Sequence, residues 1–224
     1  MYKITFLALI FSTYSYAIDD YKAEYRFKSS QIDIKGVRQL KIDEEESSLT
    51  FKAKSTLARL YFKTVFNIQA DAVNTKSYEI EIKPGFVNRD QKILIDANSN
   101  QMSSKGRDEW ILKAPEIPVV DPLNAQIQIR IMILNGFKEF KLNLLEIKDG
   151  SIESNDYKVT AENKVCNVGE TQYSCIEVTR LRENEDRKTT YLMAKELDYM
   201  FVEIKDVNPK RTDILTLEKI LSLG

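Results

Sequence analysis

The residue types that most often do chemistry in proteins are scarce in this sequence. Its 224 residues include no histidine, which removes the commonest general base, the commonest zinc ligand and every relay that pairs histidine with serine or cysteine. Only seven glycines are present, and no stretch matches a phosphate-binding loop or a dinucleotide-binding fingerprint. The sequence therefore excludes histidine-dependent catalysis and argues against nucleotide binding through these motifs.

Carboxylates are the main groups that remain for an enzyme. Asp108 and Glu109 are neighbours in GRDEW, and Asp121 precedes a proline. Catalytic carboxylates need a set separation across the substrate, which neighbours on one strand cannot supply. The acidic run 43–46 lacks the spaced oxygen ligands and the turn glycine of a calcium loop. We therefore expect no catalytic residue, no metal site and no cofactor, and a hydrolase is the lesser alternative.

The two cysteines are Cys166 and Cys175, at the ends of CNVGETQYSC. In an oxidising compartment such a pair most simply forms a disulfide that closes a hairpin. On the chain-entropy model a loop this short contributes roughly 2.5–3 kcal/mol. A redox pair usually has the tighter spacing C-x-x-C at a helix start. We predict a structural disulfide.

Residues 1–17 have the pattern of a secretory signal peptide. Lys3 supplies a positive start, ITFLALIF is an apolar core too short to span a bilayer, and Ser15-Tyr16-Ala17 is a cleavage site of the small-x-small type. No later stretch is long and apolar enough for a membrane helix. Cleavage after Ala17 predicts a single β-rich domain, residues 18–224, located in the periplasm.

The charge pattern argues against a nucleic-acid partner. The whole chain has 33 basic and 34 acidic residues, and residues 1–17 contain only one of them, Lys3. The chain without residues 1–17 is therefore close to neutral. The two signs are interspersed along the chain, so no patch is expected for nucleic acid or for an anionic membrane surface. The remaining residues, about 200, can bury one substantial core, and no Pro/Gly/Ser-rich linker divides them.

Alternating apolar and polar residues predict short strands on both sides of the centre. In YKAEYRFK, Tyr21 and Tyr25 alternate with charged residues, and Gly36 in the following run predicts a bend or a bulge. Further strands are predicted at 48–57, 61–73, 77–83 and 91–96, with turns at Pro84-Gly85 and Asp149-Gly150. This spacing favours a mainly β fold, a strongly curved antiparallel sheet or half-barrel, over βαβ units.

The central segment 114–136 fits two structures. A helix starting at Asp121-Pro122 and ending before Gly136 would have two opposite apolar faces, one with Leu123, Ile127, Ile131 and Leu134, the other with Ala125, Ile129, Met132 and Ile133. A hairpin would use Asn135-Gly136 as a type I′ turn and point Gln126, Gln128 and Arg130 to solvent. The pattern alone leaves both open.

A curved sheet with one apolar face and one helix need not fill its own concavity. The candidates for a ligand lining are Tyr21, Tyr25, Phe27, Phe51, Phe62, Phe66, Trp110, Ile127, Ile131, Met132 and Phe140. The alternative is that these side chains form a closed core.

Three segments resemble one exported bacterial family. They are Tyr21-x-Ala23-x-Tyr25, PVVDPLNA at 118–125 and YLMAKELDYMFVEI at 191–204, and together they resemble the family catalogued as domain of unknown function 3108. The resemblance implies a helix opening at PVVDPLNA, about residues 121–134, enclosed by a curved antiparallel sheet. The implied fold is similar to that of the half-barrel carriers that move lipoproteins across the periplasm. The resemblance implies no established activity.

Two functional hypotheses follow from these observations. The leading one is a non-enzymatic periplasmic binding protein that holds an apolar or lipid-like ligand in the concave face of the sheet. The alternative is an envelope assembly or adaptor protein with a filled core, which would bind another protein through a strand edge or a surface patch.

We expect the exported protein to begin at Ile18. The full chain would be produced with its own leader, and the N-terminus of the protein recovered from the periplasmic fraction would be sequenced. Recovery of exported protein that still begins at Met1 would contradict the leader assignment, because a signal peptidase removes the segment that it recognises.

Overall fold

The structure, a computed structural model, describes residues 18–30, 32–56, 58–83, 89–182 and 186–224. The predicted leader, 1–17, and the predicted turn at Pro84-Gly85 lie outside these ranges. The only α-helix in the described part of the chain is α1 (Ala125–Leu134), and a 3-10 turn follows much later at Lys195–Leu197. The other regular elements are β-strands.

Fourteen strands form one antiparallel sheet in the order β8-β7-β6-β5-β4-β3-β2-β1-β14-β13-β12-β11-β10-β9. The strands are β1 (Tyr21–Lys28), β2 (Asp33–Lys41), β3 (Ser47–Lys54), β4 (Arg59–Gln69), β5 (Ala72–Lys83), β6 (Gln91–Asp96), β7 (Gln101–Gly106), β8 (Trp110–Lys113), β9 (Glu139–Leu145), β10 (Ile152–Val168), β11 (Thr171–Leu181), β12 (Lys188–Ala194), β13 (Met200–Asn208) and β14 (Arg211–Leu223). The mainly β, curved antiparallel fold is therefore confirmed.

The strands follow the alternation in the sequence. In β1, Tyr21, Ala23 and Tyr25 are buried, and the Tyr25 hydroxyl donates a hydrogen bond of 2.8 Å to the carbonyl of Phe201. Of the bend or bulge predicted at Gly36, the bulge is wrong, because β2 keeps a continuous register with both neighbours. Glycine is required there for close packing: a Cβ atom at Gly36 would lie 2.7 Å from the Cβ of Ala53.

Residues 119 and 120 connect two distant strands of this open sheet. The backbone N–H and the hydroxyl of Thr75, on β5, both donate to the carbonyl of Val119, at 3.2 and 2.8 Å. Val120 donates to Asn143 and accepts from Leu145, both on β9, at 2.9 Å each. The segment that leads into the helix thus closes the concavity from β5 to β9.

Helix α1 begins later than the sequence pattern predicts. Its N-cap is Asn124, and Asp121 instead accepts hydrogen bonds from the N–H groups of Leu123 and Asn124 in the turn before it. The predicted start of the helix at residues 121–122 is therefore too early, whereas the predicted hydrogen bonds from the following N–H groups to the Asp121 carboxylate are present. The turn precedes the regular helix because the carboxylate satisfies these backbone donors, and the carbonyl of Asp121 accepts from the N–H of Ala125 at 2.9 Å.

The hairpin alternative is also wrong, because Asn135-Gly136 ends the helix. Gly136 adopts φ +82, its N–H donates to Ile133, and the N–H of Phe137 donates to Met132. This is the Schellman arrangement, which needs a residue at positive φ just past the helix. The same dipeptide serves either a hairpin turn or a helix end, which is why the pattern did not separate them.

The sheet encloses α1 on two sides, as its two apolar faces predict. Ile127 and Ile129 are completely buried, and Gln128 and Arg130 are also buried, at 6% and 4% exposure. The burial of these two polar side chains is possible because each finds a partner on the sheet side of the helix.

The predicted disulfide between Cys166 and Cys175 is confirmed. The bond joins β10 and β11 within one hairpin, with a Cα–Cα distance of 6.0 Å. The two cysteines occupy diagonal positions, because Cys166 stands opposite Tyr173 and Cys175 opposite Lys164.

We expect Ile127→Asp to lower the free energy of unfolding by several kcal/mol, because it places an unpaired carboxylate in a fully buried apolar site. Ile111→Asp is the matched control, since Ile111 is 67% exposed on β8, and it should change stability by about 0.5 kcal/mol or less. Urea denaturation of both variants measures the difference. Equal stabilities would contradict the enclosed helix.

Candidate ligand-binding site

An apolar pocket lies beside the turn that precedes α1. Its volume is about 250 Å³, and we call it the helix-start pocket. Its lining residues are Phe27, Arg38, Phe51, Leu60, Phe62, Tyr78, Pro122, Leu123, Gln126, Ile204 and Leu215. A wider depression of about 560 Å³ elsewhere is lined mainly by charged side chains of β3, β4 and β5, which do not suit an apolar ligand.

The sheet builds this pocket from alternate residues of strands that are distant in sequence. Strands β1 to β5 contribute from one side, and β13 and β14 from the other. The rim consists of Phe27, Phe62, Ile204 and Leu215, which are only partly buried. The helix starts only at Ala125, and the turn before it covers less of the sheet than a further helical turn would. A cavity therefore remains between this turn and the sheet.

Of the eleven lining candidates, the structure places Phe27, Phe51 and Phe62 in this pocket. The other candidates lie outside the pocket lining: Tyr21, Tyr25, Phe66, Ile127, Ile131 and Phe140 belong to the buried core, and Trp110 and Met132 pack against it. Trp110 donates through Nε1 to the carbonyl of Ile147, at 3.2 Å.

Aromatic rings fill the part of the concavity under the C-terminal strands. Phe140 stacks on Tyr157 with ring centroids 5.5 Å apart, Tyr157 contacts Tyr191, and Tyr191 meets Phe201 edge-on at 5.7 Å. Burial raises the pKa of Tyr191 well above its usual range. These contacts are typical of a packed core.

Sequence reasoning missed the polar side chains of the pocket, Arg38 and Gln126. Arg38 is buried on β2, where it shares the inward face with Ile34, Gly36 and Leu40. The alternation of that strand could have placed it inside, since residues two apart lie on one face. Gln126 could not have been found in this way, because its position depends on where the helix begins.

A buried polar cluster lies at the helix start. The carboxylate of Asp121 accepts hydrogen bonds from the Thr64 hydroxyl and from the N–H groups of Leu123 and Asn124. The Asn124 amide donates to the hydroxyls of Thr64 and Thr75, at 3.0 and 2.9 Å. The Thr64 hydroxyl and the Asn124 amide donate within the cluster, and the Thr75 hydroxyl donates to the carbonyl of Val119. These bonds indicate a structural role in joining the turn to β4 and β5.

Burial raises the pKa of Asp121 from 3.8 to about 6, while its hydrogen bonds from Thr64, Asn124 and Leu123 act in the opposite direction. The carboxyl is completely buried, so desolvation of the charged form dominates. In an enzyme such a shift marks a candidate acid or base. Here the carboxylate is occupied by hydrogen bonds from the protein itself.

Two further observations concern the described residues only. No group of three or more acidic or cysteine side chains is placed to hold a metal ion. No helix among them has the length and apolar character that crossing a membrane requires.

Comparison with known proteins supports the fold. No protein-family profile and no curated protein matches the sequence. The chain is similar to a solved structure described as a β-barrel-like protein of domain of unknown function 1849 from Brucella abortus, with a TM-score of 0.56 and 10% identity, over 92% of this chain and 98% of that chain. At this identity the likeness concerns the fold alone, so the resemblance to domain of unknown function 3108 stays a prediction.

We expect the stability difference between the wild type and Asp121→Asn to depend on pH. Because the folded-state pKa is raised, the contribution of Asp121 is fully present below about pH 4 and is lost as the pH rises through about 6. The free energy of unfolding of the wild type, relative to that of Asp121→Asn, should fall by roughly 3 kcal/mol between about pH 4 and pH 6 and stay constant at higher pH. Denaturant unfolding at a series of pH values measures it.

Asp96→Asn is the control with the opposite sign. The pKa of Asp96 is lowered by hydrogen bonds from Ser99 and Asn98, so its contribution is present at neutral pH and lost as the pH falls below about 4. A pH-independent difference for Asp121→Asn would show that its carboxyl is not desolvated in the folded state.

Proposed function

We propose that this protein is a non-enzymatic binding protein that holds an apolar chain in the helix-start pocket. The observation that carries the proposal is a concave, largely apolar site that reaches solvent through a rim of partly buried side chains. Sites for small molecules have this character, with a few polar groups that fix orientation. A volume of about 250 Å³ is slightly below the usual range of roughly 300–1,000 Å³, so a narrow ligand fits best.

The rim supplies the driving force for binding. Phe27, Phe62, Ile204 and Leu215 each leave apolar surface in contact with water, and covering that surface contributes about 25 cal/mol per Å². An alkyl chain that enters between β1 and β14 on one side and β4 on the other would cover all four side chains.

The proposal assigns no reaction to the site. The carboxylates that could serve an enzyme lie elsewhere: Glu109 is exposed, Asp108 is only partly buried, and Asp121 is held by its own hydrogen bonds. With no histidine in the chain, the helix-start pocket offers binding groups and no evident general base.

We place the protein in the periplasm. The disulfide between Cys166 and Cys175 is typical of an oxidising compartment, and the leader pattern of residues 1–17 is typical of export.

A second candidate function is assembly with another envelope protein through the edge of the sheet. Strand β8 ends the strand order, and its residues Ile111 and Leu112 are exposed. An unpaired edge with exposed apolar side chains can accept an additional strand from a partner.

We expect Leu215→Trp to reduce the affinity for a neutral apolar fluorophore such as N-phenyl-1-naphthylamine by about tenfold or more, because the larger side chain fills the pocket. The matched control is Ile214→Trp, which adds the same ring to the opposite face of β14. Fluorescence titration of the two variants and the wild type measures the effect.

Equal loss in both variants would indicate that the probe binds elsewhere. Absence of binding to the wild type would refute the proposed function and leave edge-strand assembly as the better candidate.

A further inference from the structure

Arg38 is a buried cation in the wall of the helix-start pocket. Its side chain lies on β2 with 1% exposure. None of its three guanidinium nitrogens has a hydrogen-bond partner among the described residues. The guanidinium lies over the ring of Tyr25, 5.5 Å from the centroid, which offsets only part of the lost hydration. The guanidinium is cationic, and no described residue accepts a hydrogen bond from it.

Several other arginines find acceptors. Arg130, the second buried arginine, donates through Nε to the carbonyl of Asp198 at 3.1 Å, and of its buried nitrogens only Nη1 lacks a hydrogen-bond partner among the described residues. Arg26 and Arg187 make ion pairs with Asp33 and Asp206 at 2.6 Å. A buried guanidinium normally needs such partners, because an unpaired buried charge is strongly unfavourable. Arg38 is thus distinguished by its unused donors and by its position on a cavity.

Gln126 adds a second polar group to the same wall. Its Oε1 atom is buried and has no hydrogen-bond partner within the described residues, while Nε2 donates weakly to Pro122 at 3.4 Å. An amide can turn and exchange its oxygen for its NH2 group. Arg38 and a turned Gln126 would together present donors to an anion inside an otherwise apolar pocket.

We infer that the helix-start pocket binds a single-chain carboxylate amphiphile, with the carboxylate on Arg38 and the alkyl chain running outward past Phe27 and Leu215. This inference rests on the proposed function and names the class of ligand. The head enters first because Arg38 is buried while the apolar side chains form the rim. A carboxylate there accepts two parallel hydrogen bonds from the guanidinium fork.

A carboxylate suits this site better than a phosphate. The pocket offers one free guanidinium, and a carboxylate neutralises it with a single charge. A phosphate monoester carries about −1.5 to −2 charges and three acceptor oxygens, which would leave buried negative charge beside Tyr25 and Tyr78. The small volume of the pocket also favours a carboxylate, which is the smaller of the two head groups.

The first test uses the wild-type protein stripped of lipid with a hydrophobic resin. Octanoate, octanol and octyl phosphate are titrated separately by calorimetry and by displacement of the neutral fluorophore. We expect octanoate to bind about tenfold or more tightly than octanol, as charge-assisted hydrogen bonds to a buried group would give. Octanoate no tighter than octanol overturns the inference, and so does octyl phosphate tighter than octanoate.

The second test replaces the cation. In Arg38→Met, the ratio of octanoate affinity to octanol affinity should fall to about one. Arg38→Lys should restore part of the preference for octanoate through its charge. Arg26→Met is the control, because it removes an exposed cation from the neighbouring strand. A preference for octanoate that survives in Arg38→Met overturns the assignment.

The outcomes separate the two proposals. If octanol and the neutral fluorophore bind but octanoate gains nothing, the inference about Arg38 fails and the apolar binding function stands. If none of the four compounds binds the wild type, the binding function itself fails. The wild-type titrations decide between these results even if Arg38→Met does not fold.

Discussion

The polar contacts of α1 are the constraint on which the rest of the structure depends. A helix that is apolar on two opposite faces gains similar free energy from burial in several rotations, so the hydrophobic effect alone does not orient it. Gln128 accepts from the N–H of Val73 at 2.7 Å and donates to the carbonyl of Asp71 at 2.8 Å, and Arg130 bonds on the side of β13. Breaking such a bond leaves a buried group unsatisfied, which costs about 1–3 kcal/mol. These bonds therefore select one orientation.

The same contacts link the helix to the closure of the sheet. Residues 119 and 120 connect β5 to β9, and the next residues form the cluster of Asp121, Asn124, Thr64 and Thr75. The chain thus crosses the opening and enters the concavity within a few residues. Because the carboxylate of Asp121 organises a turn before the helix, the sheet is left partly uncovered beside that turn, and the helix-start pocket is a consequence of this geometry.

The local features of this fold were readable from the sequence, and the non-local ones were not. Alternation predicted the strands and the two apolar faces of α1, since burial imposes periods of 2 and 3.6 on neighbouring residues. The closure at residues 119–120 depends on Thr75 and Asn143, which are far apart in the chain. Tyr25 and Phe27 have equivalent places in the pattern, yet one is core and the other lines the pocket. Only the packing of other strands separates them.

Most of the unsatisfied buried polar atoms lie on the wall of the helix-start pocket. Of the seven buried side-chain nitrogen and oxygen atoms without a hydrogen-bond partner in the described residues, four belong to Arg38 and Gln126 on one pocket. The cluster of Asp121 shows that the same fold can satisfy a buried charge with its own groups. A buried leucine or methionine at position 38 would avoid the desolvation of a cation and would serve the core equally well. An arginine at this position is accounted for by the proposed ligand, whose carboxylate would supply the acceptor that the described residues do not.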